Sequence, residues 1–197
     1  MAPRKKGRPL SFDRDAALRK AMLLFWEHGY EATSLNDLTS ALGVPPSSIY
    51  SAFGDKKGLF FDVVGLYLSG PVTFETMLAL APTARGAAQT MLDGAAAAYT
   101  GTDTPAGCLL ASAAISCSEA AADVRHTLGA IRQDMETLLR ARIVKGIQEQ
   151  ELPADTNAEA LAGMTMAVVQ GMSTLARDGA SREKLLQVAA SALRAWP

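Results

Sequence analysis

Between Ser34 and Phe53 the chain reads SLNDLTSALGVPPSSIYSAF, two short apolar-periodic runs on either side of a Gly-Val step. Leu35, Leu38 and Leu42 recur at spacings of three and four, so they share one face of a helix. In the second run, Pro46 to Phe53, Ile49 and Phe53 lie one turn apart while Ser47, Ser48 and Ser51 point elsewhere. Gly43 falls where a tight turn needs a positive φ, and Val44 can plug the gap between the two helices. Helices this short bury little by themselves and need a third to pack on. That requirement, with this spacing, is the layout of a helix-turn-helix, whose second helix lies in a DNA major groove.

Local chemistry supports the layout. Thr33 and Ser34 are good N-caps, and Ser34 with Asp37 has the spacing of a capping box. Pro46 suits the first position of a helix, where its missing N–H costs nothing. The outward face of this second helix is then Ser47, Ser48, Tyr50 and Ser51, with Tyr50 a phosphate donor and the serines candidates for base edges. The alternative is an ordinary helical hairpin whose serines are merely solvated.

The flanks bear on that choice. Upstream, Leu18, Ala21, Met22 and Phe25 follow the i, i+3, i+4, i+7 pattern of an amphipathic helix ending at Gly29. Downstream, Asp55 can cap a further helix beginning at Lys56. Across Ala21, Leu24-Phe25, Gly29-Tyr30, Thr33-Ser34-Leu35, Asp37-Leu38, Ala41, Gly43-Val44, Ser48-Ile49-Tyr50, Phe53, Lys56 and Leu59-Phe60, the array resembles the TetR family of bacterial transcriptional regulators. The resemblance covers about the first 65 residues; beyond them it is one of helical layout. It implies a homodimeric repressor released from a palindromic double-stranded operator by a small-molecule effector or a thiol-reactive electrophile, with an activator or an architectural DNA binder of the same fold as the alternative. It also implies phosphate contacts from Thr33, Tyr50 and Lys56. Lys56 has an independent reason too, since a cation beside a helix N-terminus can share an anionic phosphate with the backbone N–H groups. One departure is Pro45-Pro46, where many members have a capping and a polar or basic residue; it removes polar contacts from the start of the recognition helix.

The first ten residues, MAPRKKGRPL, carry Arg4, Lys5, Lys6 and Arg8 and no acid. Pro3, Gly7 and Pro9 keep such a segment extended, and Gly7-Arg8-Pro9 resembles an AT-hook, whose arginine enters the minor groove of A·T-rich DNA. The alternative is a solubilising tail. The net charge of −1 hides an asymmetry: residues 1–58 hold nine Lys/Arg against six Asp/Glu, and the remainder is acidic. A basic head on an acidic body fits a DNA reader with a separate domain.

Other classes find little support. No apolar run approaches the roughly 20 residues that span a bilayer, and no apolar segment follows the basic N-terminus as in a secretory signal. Cys108 and Cys117 are nine residues apart, which on one helix would put them on opposite faces, unable to bridge. Two cysteines and the separated His28 and His126 make no metal-ligand cluster, and no phosphate loop, nucleophile elbow or H-E-x-x-H is present. We therefore expect a cytoplasmic protein, not an enzyme, with no cofactor and no metal.

The whole is expected to be all-α, with about nine helices. We divide it into a basic arm (1–10), a helix-turn-helix domain with its connecting helix (11–70) and an effector-binding and dimerisation domain (71–197). After the connecting helix, which stops at Gly70-Pro71, the spacing predicts helices at about 83–99, 106–117 (Thr104 capping, Pro105 first), 120–149, 156–177 (a Thr156/Glu159 capping box) and from Ser181 onward. The last two carry Leu161, Thr165, Val168, Val169 and Met172, then Leu185, Val188, Ala189, Ala192 and Trp196. These wide apolar faces are candidates for a four-helix dimer contact, or else they close the protomer's own core. Phe74, Met77, Met91, Leu109, Met135 and Met166 are candidates for an effector pocket, since methionine adapts to irregular cavities; any helical core contains the same residues. Cys108, placed in the first turn of its helix, is a candidate reactive thiol through the helix dipole, or a small buried hydrophobe.

Overall fold

A computed structural model describes residues 12–70, 72–115 and 117–197. Among these there is no strand; ten α-helices and one 3₁₀ turn make up the regular structure. The basic arm, with Arg4, Lys5, Lys6 and Arg8, lies outside the described residues.

The head is built from α1 (Arg14–His28), α2 (Leu35–Leu42) and α3 (Pro46–Phe53). Asp13 opens α1 by accepting from the N–H groups of Asp15 and Ala16. Ser34 opens α2 in a full capping box with Asp37, and Gly43 closes it in the left-handed region at φ 68°. There a side chain would be strained, so a glycine turns the chain toward α3. Leu18, Ala21, Phe25, Leu38, Ile49 and Phe53 are buried, as the apolar periodicity requires. Val44 packs against this core from the turn.

The connecting helix α4 (Lys56–Leu68), capped by Asp55, supplies the third wall. Its Phe60 is fully buried, with its ring centroid 5.0 Å from those of Phe25 and of Tyr30, both edge-on. Edge-to-face rings at this distance add to the gain from burial alone.

The body runs α5 (Phe74–Leu80), α6 (Ala84–Tyr99), α7 (Leu109–Ser112), a 3₁₀ turn (Glu119–Ala121), α8 (Ala122–Gln148), α9 (Ala158–Arg177) and α10 (Arg182–Leu193). At 27 residues, α8 is about 40 Å long and forms the spine. Helix α6 buries Ala84, Ala87, Ala88, Ala95 and Ala96, and side chains this small let α9 and α10 come close. The start of α6 and the end of α8 are clamped together through Glu151. Its carboxylate accepts from Arg142 Nη2 at 3.0 Å and from the first backbone N–H of α6, Ala84, at 2.6 Å. The Arg142 hydrogen bond holds the Glu151 carboxyl below the usual range.

Three sequence expectations need correction. Helix α5 was not foreseen, and it raises about nine helices to ten; Thr73 caps it through the Thr76 N–H, just beyond Gly70. The expected helix 106–117 shrinks to the single turn α7, because Gly107 adopts φ 84° and Cys108 becomes the cap residue. The cap of α9 is Asn157, whose side chain accepts from Ala160 N, and not Thr156. Ser181 opens α10 as expected, and Thr83 caps α6 at the expected start of that helix.

Candidate nucleic-acid interface

Helix α3 is anchored from one side and open on the other. Ile49 and Phe53 are buried, whereas Pro46, Ser47, Tyr50 and Ser51 are exposed and Ser48 is half-buried. Tyr50 is 52% exposed, so its hydroxyl stands clear of the head. Gly54, in the left-handed region after α3, then redirects the chain into α4. The result is a short helix with small hydroxyls at its surface, narrow enough for a major groove.

Other predicted contacts are placed differently. Ser34 is exposed, but its side chain is engaged in the capping box; its hydroxyl lies 2.6 Å from Asp37 Oδ2. These hydrogen bonds hold the Asp37 carboxyl below its ordinary value. Thr33 is a correction: it is fully buried, and its hydroxyl donates to Gly29 O at 2.7 Å. Its side chain anchors the α1–α2 turn and offers nothing to a phosphate. The Lys56 ammonium lies 4.5 Å from the Tyr30 ring centroid and donates to Glu31 O at 3.3 Å. Partial burial pushes the Lys56 pKa down. A held, half-desolvated cation at the start of α4 suits a phosphate better than a freely swinging one.

The head is fastened to the body at several points. Tyr30 N–H donates to Ala113 O at 2.8 Å, and Ser118 Oγ donates to the Glu31 carboxylate at 2.9 Å. Lys57 and Asp123 pair at 2.6 Å across α4 and α8, which raises the lysine pKa and lowers that of the aspartate. Arg177, at the end of α9, donates to Trp26 O and Glu27 O in the last turn of α1. Sequence reasoning missed these fastenings, because pairs this far apart in the chain leave no periodic signal.

The residues proposed for an effector site are core residues. Met91, Cys108, Leu109 and Met166 are buried, and Phe74, Met77 and Met135 pack against the same core half-buried. A hollow of about 620 Å³ lies elsewhere, between α5 and α8, walled by Leu78, Ala81, Pro82, Leu138 and Arg142. None of the seven lines it. Cys108 was expected inside the first turn of a longer helix; it stands at the cap of a four-residue one, and its sulfur meets the Tyr67 hydroxyl at 3.3 Å. Its backbone N–H donates to Ser173 Oγ at 2.8 Å. Burial drives the Tyr67 and Tyr99 hydroxyls to higher pKa, so both stay protonated beside it. Both cysteines are free thiols, and they lie on no common helix.

The predicted dimer face also needs correction. Leu161, Thr165, Val169, Met172, Leu185, Ala189 and Trp196 are buried within the single chain, where Trp196 Nε1 donates to Thr165 Oγ1 at 3.3 Å. They close the protomer's own core. Val168, Val188 and Ala192 stay half-exposed, joined by Met164, Gly171 and Leu175 along α9 and by Leu186 on α10. The spacing 164, 168, 171, 175 is itself helical, and it was legible once the adjacent stripe was assigned inward.

Fold and surface together define a helical regulator that presents a recognition helix to DNA. Comparison with known proteins agrees. Residues 17–63 match the model of bacterial regulatory proteins of the tetR family, and 88–193 match a tetracyclin repressor-like C-terminal domain. The HTH-type transcriptional repressor ComR of Escherichia coli K12 is 38% identical over 98% of this chain and 93% of its own. BdcR of the same organism, also an HTH-type transcriptional repressor, is 29% identical over 96% and 91%. Among solved structures, a cysteine mutant of the TetR-family regulator CifR, complexed with 26 base pairs of double-strand operator DNA, is 41% identical. It covers 97% of this chain and 100% of that chain, with a TM-score of 0.91. The chain belongs to the tetR family of bacterial regulatory proteins and is a DNA-binding transcriptional regulator. Among the described residues, no helix is long and apolar enough to cross a membrane.

Proposed function

We propose that the protein is a homodimeric repressor that occupies a palindromic operator and leaves it when a small molecule or a thiol-reactive electrophile engages the body. The observation that carries this reading is α3, pinned inward by Ile49 and Phe53 with Ser47, Tyr50 and Ser51 turned out. In a two-fold assembly, two such helices sit one DNA turn apart, about 34 Å, in successive major grooves. Tyr50 and Lys56 contact phosphate, and Ser47, Ser48 and Ser51 face the base edges. The arm at Arg4, Lys5, Lys6 and Arg8 adds minor-groove and phosphate contacts. The half-exposed stripe Met164, Val168, Gly171 and Leu175, with Leu186 and Val188, supplies the dimer seam. A regulator of this kind works in the cytoplasm, where the operator is.

Support comes from relatives named as repressors and from CifR bound to operator DNA. The test is a gel-shift titration with the palindrome upstream of the protein's own gene. Nanomolar, sequence-selective binding is expected; equal affinity for scrambled DNA would instead favour an architectural binder. The thiol arm of the proposal rests on Cys108, held against Tyr67 and tied by its backbone to α9. Cys108→Ser is expected to retain operator binding while losing release by an alkylating agent. Release equal to wild type would remove the electrophile and leave a reversibly bound effector.

A further inference from the structure

Helix α9 does two jobs at once. Its outward stripe, Met164 to Leu175, faces the proposed partner, and its final residue, Arg177, grips the head of its own chain. Among the described residues, the hydrogen bonds of Arg177 are those that join α9 to the head; the other fastenings start from α8, from the segment after α7 or from Cys108 at its start. Arg177 Nη1 reaches Trp26 O at 3.1 Å and Nη2 reaches Glu27 O at 2.9 Å. Both acceptors belong to the last turn of α1, whose carbonyls have no partner within the helix and carry the negative end of its dipole. A planar guanidinium presents two donors to two such acceptors in fixed geometry, which an ammonium does not.

The stem of Arg177 also has a close neighbour on one side. A Cβ built on Gly107 would lie 2.9 Å from Arg177 Cγ and 2.9 Å from Ser173 O and Oγ. The stem of this exposed side chain therefore passes against the segment leading into α7, and the same Ser173 holds the Cys108 N–H. Twenty residues of unbroken helix, about 30 Å, carry this contact on the same rod as the stripe.

We propose that Arg177 is a positioning residue that fixes each head relative to the dimer seam, and so determines which half-site spacing the operator must have. This rests on the dimeric reading given above. Without the guanidinium, α1 is released from α9 while α3 keeps its own surface intact. Such a head still reads its half-site but tolerates changed spacing.

The experiment uses the full-length protein and a series of palindromes from upstream of its own gene, with zero, one or two base pairs inserted at the centre. Affinities are measured by fluorescence anisotropy for wild type, Arg177→Met, which keeps the stem and removes the donors, and Arg177→Lys. We expect insertion to weaken the wild type sharply, and Arg177→Met to reduce that penalty by about tenfold, within the usual range of coupling between sites. Arg177→Lys should fall between. Melting temperature and dimer mass should be unchanged; should Arg177→Met melt early, the ordering of Arg177→Lys against wild type decides alone. Equal spacing penalties in wild type and variants would overturn the proposal while leaving the repressor reading intact. A wild type that is monomeric or binds no member of the series would overturn the dimeric reading, and this proposal with it.

Discussion

Head and body are both all-helical, yet they bury different things. The head packs aromatic rings, Phe25, Tyr30 and Phe60, around helices of eight and 15 residues, each started by a side-chain cap or a proline. The body packs an alanine face on α6 against α9 and α10, with helices up to 27 residues long. Large interlocking rings admit few arrangements. Alanine faces say only that something comes close, not which helix. The head is thus specified residue by residue, as a surface that must match DNA requires. The body is specified by volume, which leaves room for different effectors on one frame.

This contrast can be broken or sharpened by substitution. The largest effect is expected from Phe60→Ala, which removes a fully buried ring touching both Phe25 and Tyr30. We expect a loss of about 3–5 kcal/mol in urea denaturation followed by circular dichroism. A loss under about 1 kcal/mol would show that the ring cluster does not dominate the head. Next comes Ala96→Leu, which adds volume at a fully buried position of α6. Overpacking should cost about 1–3 kcal/mol by the same measurement, and a neutral result would mean that the body is looser than its alanines imply.

A smaller effect, confined to binding, is expected at Tyr50. Tyr50→Ala should leave the melting temperature unchanged, because the side chain is more than half exposed. Operator affinity should fall about tenfold, near the 1.4 kcal/mol of one phosphate hydrogen bond and its packing. Unaltered affinity would remove Tyr50 from the interface. The smallest effect is pH-dependent. The Asp37 carboxyl is held below its ordinary value of 3.8 by the Ser34 hydroxyl and N–H, so its contribution is complete above that value and fades as pH falls toward the lowered one. Wild type should therefore melt above Asp37→Asn at pH 6, with the two curves drawing together as pH falls below 3.8. Parallel curves at every pH would locate the effect of the substitution elsewhere.

The same contrast explains what could be read from the sequence. Every helix of the head was legible because its caps, its turn glycine and its apolar spacing all lie within a few residues of one another. The connecting helix was legible for the same reason, and so was the open face of α3. Thr33 was misread: a hydroxyl beside a cap looks available, and only the fold shows that Gly29 O already takes it. In the body, α7 was overextended because the obstacle to it is tertiary. Ser173 and Arg177 press on Gly107, and no local pattern announces them. Thr156 and Asn157 are adjacent caps of similar strength, so local chemistry left the start of α9 open by one residue. The inward stripe was offered as a dimer contact because neighbouring faces of α9 are both apolar, and burial, not composition, separates them.

The tie between Tyr30 N–H and Ala113 O is made by two main-chain groups. Of the twenty amino acids, nineteen at position 30 would keep that donor and all twenty at position 113 would keep that acceptor. Divergence can therefore rewrite both side chains without untying the domains there. Paired substitutions between relatives would carry no trace of this joint. Its persistence is a property of the polymer, and the chemistry of the effector is free to drift around it.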